Sequence, residues 1–125
     1  MNLQVISSYS REQAINDGVL VEIPSKILKE AGILYPVSVT SALWSYINPD
    51  DMEKMPGQSL DGRLWDLLWM LRMACDKAKN TDRIHFQVLI DVHGDGRHKL
   101  VKLWALCGPG DDPRPVITIM LAAED

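Results

Sequence analysis

The sequence has 125 residues, of which 46% are hydrophobic and 24% are charged. This length and composition are typical of a single globular domain over residues 1–125 and exclude a largely disordered chain. The formal net charge of −4 argues against a general nucleic-acid-binding surface, which needs a basic face, and it is too small for an acidic mimic of DNA.

We expect neither a membrane-spanning helix nor export, since the sequence has no run of 18 apolar residues and no amino-terminal signal sequence. Cys75 lies in a helical pattern and Cys107 at the end of a strand pattern. This placement favours two reduced, partly buried thiols over a disulfide. The sequence therefore predicts a cytoplasmic protein.

Short elements are predicted before residue 50. The segment from Ser10 to Gln13 has the form of a capping box, which predicts the start of a first helix. Val19–Ile23 follows as a short strand or extended segment. Ser25 is the expected N-cap of a second short helix, and Val39–Ile47 has apolar residues at the spacing of a third.

The longest predicted helix extends from about Ser59 to Lys79. It follows an exposed loop, expected at residues 48–58, that contains two prolines and one glycine. One side of the helix is an apolar stripe that we expect to face the core. That stripe consists of Leu60, Leu64, Leu67, Leu68, Leu71, Cys75 and Ala78.

A second side of this helix carries Trp65, Trp69 and Met73 at spacing i, i+4, i+8, beside Arg72. Aromatic residues, methionine and arginine are enriched in protein interfaces. Two interpretations remain open: this side is an interface, or the preceding loop and the short helices fold over it. We expect a homodimer that uses this helix, the partly apolar second face of the sheet around Trp104, or both.

The last third of the sequence alternates apolar and polar residues and predicts three strands. They are expected at about residues 84–92, Lys99–Cys107 and Pro115–Leu121. The expected fold class is α+β, with short N-terminal helices, one long central helix and a three-stranded antiparallel β-meander at the C-terminal end. Val19–Ile23 is a candidate extra strand.

A polar cluster surrounds the first turn of the predicted meander. Asp91, His93, Asp95 and His98 offer carboxylates and imidazoles, which are suitable ligands for zinc or manganese. The first three share a face only if the strand stays regular through the glycines, and no established metal-binding spacing is present. A solvated hairpin tip is therefore the favoured interpretation, and a metal site is the alternative.

A second candidate site, a ligand-binding loop, comprises Gly108, Gly110, Asp111 and Asp112. A phosphate cradle does not fit, because Pro109 removes a backbone donor and the aspartates have the wrong charge. A pocket or a divalent cation remains an alternative to a plain turn, which is favoured. The sequence has no recognisable catalytic constellation, so we predict no enzyme activity, no catalytic residue and no cofactor.

Three blocks of sequence resemble an uncharacterised domain family carried by bacteria, phages and plasmids. They are Tyr9–Val21 (YSREQAINDGVLV), Arg63–Met70 (RLWDLLWM), and Cys107–Asp112 (CGPGDD) followed by Pro115–Leu121 (PVITIML). The resemblance covers the chain from about Tyr9 to Asp125. It implies an accessory gene on a mobile element, a setting in which small non-enzymatic proteins often act against host defences.

We therefore expect a non-catalytic binding protein of a mobile element or phage that inhibits a host defence system through contacts with a host protein. The alternative is a small-molecule domain that binds a nucleotide or a metal at the two candidate sites. Neither nucleic acid nor a membrane is an expected partner. Weaker association after replacement of Trp65 and Trp69 favours the first hypothesis, and a ligand-induced rise in melting temperature favours the second.

Overall fold

The computed structural model describes residues 10–77, 82–110 and 113–124. The described elements form one sheet with helices packed against it. In chain order they are α1 (Arg11–Asn16), β1 (Leu20–Glu22), α2 (Ser25–Glu30), β2 (Val37–Thr40), α3 (Ser41–Ile47), α4 (Leu60–Lys77), β3 (Arg83–Ile90), β4 (Lys99–Pro109) and β5 (Pro115–Leu121). Short 3-10 turns lie at Met52–Lys54 and Ala122–Glu124.

The sheet has five strands in the order β1-β2-β5-β4-β3. Its neighbouring strands are antiparallel except β2 and β5, which are parallel and align Val37 with Ile117. The prediction of a three-stranded antiparallel meander is therefore wrong. The three strands are one part of a mixed sheet, because β5 has a second neighbour in β2 and the sheet continues to β1.

The strand that the sequence analysis missed is β2. Val39, assigned to the third helix, belongs to this strand, and Oγ1 of Thr40 caps α3 by accepting from the N–H of Leu43 at 3.3 Å. All four residues of β2 are buried. On the face opposite the core, Arg11 of α1 donates from Nη1 to Oγ of Ser38 at 2.9 Å. The four residues VSVT do alternate, but so short a run was outweighed by the helical spacing of Val39, Leu43 and Ile47.

The local predictions have different outcomes. The capping box is confirmed: the N–H of Gln13 donates to Oγ of Ser10 at 3.0 Å, and the N–H of Ser10 donates to Oε1 of Gln13 at 3.4 Å. Ser25 is not an N-cap, because Pro24 occupies that position and Ser25 is the first helical residue. The long helix and the last strand lie where the periodicity predicts them, although residues 78 and 79 are outside the described ranges.

The hydrophobic core lies between one face of the sheet and helices α2, α3 and α4. From α4, Leu67, Leu68 and Leu71 are at most 1% exposed, and from the sheet Leu103 and Ile119 are fully buried. The predicted leucine stripe is therefore the core face of α4. Within the described ranges, no helix has both the length and the apolar character needed to cross a membrane.

One charged residue of α4, Arg63, is buried at the edge of this core. Its guanidinium donates to the backbone oxygens of Tyr46 and Asp91, each at 2.6 Å. It also donates to Oε1 of Gln58 at 3.2 Å and to Sδ of Met55 at 3.4 Å. Since Tyr46 lies in the last turn of α3 and Asp91 directly follows β3, Arg63 joins α4 to three other parts of the fold.

The loop before α4, which the sequence analysis expected to be exposed, is partly buried. Met55 is only 7% exposed and packs beneath the turn that follows β3. In that turn Gly94 has a φ of +71°, and a Cβ built on it would lie 2.5 Å from Cβ of Met55. Glycine is therefore required both by the backbone conformation and by the close approach of the loop.

The two cysteines, Cys75 of α4 and Cys107 of β4, are half-buried free thiols that pack against the core. Burial raises the pKa of each thiol above its ordinary value of 9.0. A negative charge on Cys107 adds to the increase in the pKa of Cys75, so the two groups lie within electrostatic reach of each other. Thiols with raised pKa values are poor nucleophiles at neutral pH.

Replacing Arg63 with methionine should lower the free energy of unfolding by about 3 kcal/mol, because the carbonyls of Asp91 (buried) and Tyr46 (partly buried) lose their donor. Arg72→Met is a matched control on the same helix. Arg72 is exposed and donates to one described carbonyl, that of Ala31 at 3.1 Å, so its loss should cost about 1 kcal/mol or less. Urea denaturation measures both values, and equal losses would contradict the role given to Arg63.

The thiols should make stability fall at alkaline pH. A raised pKa in the folded state means that the stabilisation is fully present below the ordinary thiol pKa of the unfolded chain and is lost as pH rises through the folded-state value. Melting temperatures of the wild type and of Cys75→Ala/Cys107→Ala, measured from about pH 7 to about pH 10, test this. The wild type should lose more stability than the double variant, and parallel curves would contradict the assignment.

Candidate functional site

The second side of α4 lies on the surface of the molecule. Trp65 is 37% exposed, Trp69 is 50% exposed and Met73 is 41% exposed. The loop before α4 is held on the other flank of the helix by its contacts with Arg63 and does not cover them. Of the two interpretations left open by the sequence, the structure thus excludes a buried position for these side chains.

Arg72 lies in the same surface and is held in place by its neighbours. Its Cζ lies 6.0 Å from the ring centroid of Trp69, and its Nη1 donates to the carbonyl of Ala31 at 3.1 Å. Gly32, directly after that carbonyl, has a φ of +77°, and a Cβ there would lie 2.6 Å from Nη1. The end of α2 is therefore shaped to receive the arginine, and the arginine borders the tryptophan.

Trp104, the fifth predicted interface residue, lies elsewhere. It alternates along β4 with Leu103 and Ala105, which are in the core, so its side chain is on the opposite face of the sheet. There its ring centroid is 3.2 Å from that of His85, and Cζ of Arg83 lies 3.9 Å from its ring centroid. The predicted interface residues therefore belong to two separate surfaces.

Two further exposed apolar features lie beside these two surfaces. Met70, which is 39% exposed, lies beside Met73 on α4. Leu89 and Leu100 are opposite each other on β3 and β4 and are 56% and 49% exposed, on the face that carries Trp104. The alternation of residues along β3 and β4 is enough to predict that this leucine pair lies on the outer face. Met70 falls outside the i, i+4, i+8 series of the tryptophans, so that spacing does not reveal it.

The candidate metal residues lie in and beside the turn between β3 and β4. The carboxylate of Asp91 accepts from the N–H groups of Asp95 at 3.1 Å and Gly96 at 3.0 Å, so it stabilises the turn. Oδ1 of Asp95 in turn accepts from the N–H of Arg97 at 2.9 Å. In the described part of the chain, no three His, Cys, Asp or Glu side chains are arranged to hold a metal ion, so the structure does not bring Asp91, His93, Asp95 and His98 together as ligands.

The candidate ligand-binding loop connects β4 to β5. Gly108 belongs to β4, opposite Val116, and Gly110 donates its N–H to the carbonyl of Arg114 at 3.1 Å. A Cβ on Gly110 would lie 3.1 Å from Cγ1 of Val116, so this glycine permits a close turn. Asp111 and Asp112 lie outside the described residues.

The whole sequence and the fold were compared with those of known proteins. No curated protein and no solved structure matches this chain. Residues 1–125 match the family described as a family of unknown function, DUF6573. The expectation of an uncharacterised domain family is thereby confirmed. Because the match covers every residue of the sequence, the chain belongs to the DUF6573 family.

Proposed function

We propose that this chain is a non-catalytic binding protein that acts through the aromatic surface of α4, defined as Trp65, Trp69, Arg72 and Met73. The exposure of two tryptophans on a helix whose opposite side is fully buried carries the proposal. Tryptophan offers a large contact area, and tryptophan and arginine dominate the energetic hot spots of protein interfaces.

The aromatic surface is pre-organised for binding. The leucines of α4 anchor its backbone in the core, and Arg72 is already held between the end of α2 and Trp69. Few rotatable groups need to be ordered when a partner arrives, which lowers the entropic cost of association. This property supports a binding role for the surface.

The charges around the aromatic surface suggest the chemistry of the partner. Asp61 precedes Trp65 by one helical turn, and Asp76 follows Arg72 by one turn, so both carboxylates lie at the ends of the surface. Both residues are exposed. A partner that has an apolar cleft bordered by basic side chains would match this arrangement in shape and in charge.

The proposed biological setting rests on the resemblance carried by the three sequence blocks. A family carried by bacteria, phages and plasmids supports a role as an accessory protein of a mobile element or phage in the bacterial cytoplasm. The proposed partner is a protein of a host defence system, which the chain inhibits by occupying its cleft.

The experiment is a phage plating assay in bacterial hosts that each carry one defence system and express the chain. The wild type should restore plating in at least one host, and Trp65→Ser/Trp69→Ser should lower that restoration at least about tenfold, because two hot-spot side chains are lost. Capture on the purified chain, with quantitative mass spectrometry, should identify one component of that system whose retention depends on both tryptophans.

Leu100→Ser is the matched control, since Leu100 is 49% exposed, like Trp69, but lies on the sheet away from α4. This variant should restore plating and retain the partner as the wild type does. The proposal is contradicted if no host is affected, or if the tryptophan variant, shown to be folded by its melting curve, acts like the wild type.

A further inference from the structure

One edge of the sheet is open. Among the described residues, β3 has β4 as its only strand neighbour, and the two pair without interruption from Arg83 opposite Leu106 to Ile90 opposite Lys99. β3 contains no proline or lysine and no bulge, which are the features that protect an edge from pairing. The other edge strand, β1, has three residues and ends shortly before Pro24. In the part of the chain that the structure describes, the sheet therefore has one protected edge and one unprotected edge.

The backbone groups at the open edge alternate in direction. The N–H of Cys107 donates to the carbonyl of Asp82 at 2.7 Å, so these two opposite residues are a hydrogen-bonded pair. In an antiparallel ladder such pairs alternate with pairs whose N–H and C=O groups point away from each other. The backbone groups of His85, Gln87 and Leu89 therefore point away from β4, toward the open edge.

Beside this edge, α4 and β3 border a groove of about 580 Å³ that is lined from the helix by Met70, Met73, Ala74 and Lys77. Three of these residues, together with Asp66, form what we call the edge stripe: Asp66, Met70, Met73 and Lys77. At about 100° per residue they fall within an arc of about 60°. Both methionines are about two-fifths exposed, and both charged residues are exposed.

The edge stripe is complementary to a copy of itself. The midpoint between Met70 and Met73 along the helix is also the midpoint between Asp66 and Lys77. A second α4 in antiparallel orientation therefore places each Met70 opposite a Met73. The same arrangement places each Asp66 opposite a Lys77 of the other copy. One Asp66–Lys77 ion pair therefore lies at each end of an apolar centre.

The centre of the edge stripe is level with the centre of β3. Lys77 lines the groove together with Arg83 at the start of the strand, and Asp66 lines a small cavity together with Ile90 at its end. The middle of the stripe consequently lies beside residues 86 and 87. One two-fold axis perpendicular to the sheet can thus relate both the strands and the helices of two copies.

We propose that β3 and the edge stripe form a homodimer interface, in which the two β3 strands pair antiparallel and the two α4 helices pack side by side. A second copy of this chain provides a strand for the open edge, apolar side chains for the groove and a counter-charge for each end of the stripe. The centre of the stripe lies about 70° around the helix from Trp69 and about 110° from Trp65. The dimer therefore leaves Trp65, Trp69 and Arg72 of each copy for other partners.

Light scattering on a concentration series from about 1 µM to about 500 µM tests the dimer. The wild-type mass should approach twice the chain mass of 14.1 kDa. Gln87→Pro removes an N–H that points to the open edge and none that donates to β4. This variant should weaken dimerisation at least about tenfold and should keep the wild-type melting temperature at concentrations where both proteins are monomers.

Charge reversal tests the two-fold arrangement. Asp66→Lys and Lys77→Asp should each weaken dimerisation about tenfold, because each places like charges opposite one another twice. Asp66→Lys/Lys77→Asp restores opposite charges at both pairs and should return the dissociation constant to within about threefold of the wild-type value. Melting curves confirm that all the variants are folded.

A mass of 14.1 kDa at every concentration overturns the proposal. A dimer insensitive to Gln87→Pro and to both single reversals also overturns it, as does a double reversal that recovers nothing. Trp65→Ser/Trp69→Ser should remain a dimer, and its dissociation would contradict the interface. Because the aromatic surface and the edge stripe are different residues except for Met73, the proposed function and the dimer can fail separately.

Discussion

The guanidinium of Arg63 connects parts of the chain that are distant in sequence. Tyr46 and Asp91 each direct a backbone carbonyl toward the first turns of α4, and a buried carbonyl without a donor is costly. The planar fork of five N–H groups in arginine reaches both carbonyls and the side chain of Gln58 together. The orientation of α4 over the sheet depends on these contacts, and that orientation decides which of its residues are left outside.

The helix α4 has apolar residues around most of its circumference, a pattern typical of a helix buried on several sides. The leucine stripe packs against the sheet. Beside the stripe, Arg63 donates to the carbonyl of Asp91 in the turn after β3. Trp69, Met70 and Met73 remain between two-fifths and one-half exposed. In our account these residues are covered by other molecules: the methionines by a second copy at the open edge of the sheet, and the tryptophan by a partner protein.

The sequence predicted the elements that have strong local patterns. The capping box at Ser10, the leucine stripe of α4 and the alternation of β3 depend on neighbouring residues and were identified correctly. It did not predict β2, because this strand has only four residues, because Val39 also fits the helical spacing of Leu43 and Ile47, and because the parallel pairing with β5 joins distant segments. The buried role of Arg63 was also missed, since an arginine on a helix is ordinarily solvated. Strand alternation correctly placed Trp104 on the second face of the sheet, away from the helix tryptophans.

Amide hydrogen exchange in β3, followed residue by residue by NMR at low and high protein concentration, tests the account most directly. The amides of His85, Gln87 and Leu89 point to the open edge, so a strand added beside β3 would protect all three together. We predict fast exchange in dilute protein and strong protection in concentrated protein, with the amides of Phe86 and Val88 protected throughout by β4. Fast exchange of the three edge amides at every concentration would contradict the account.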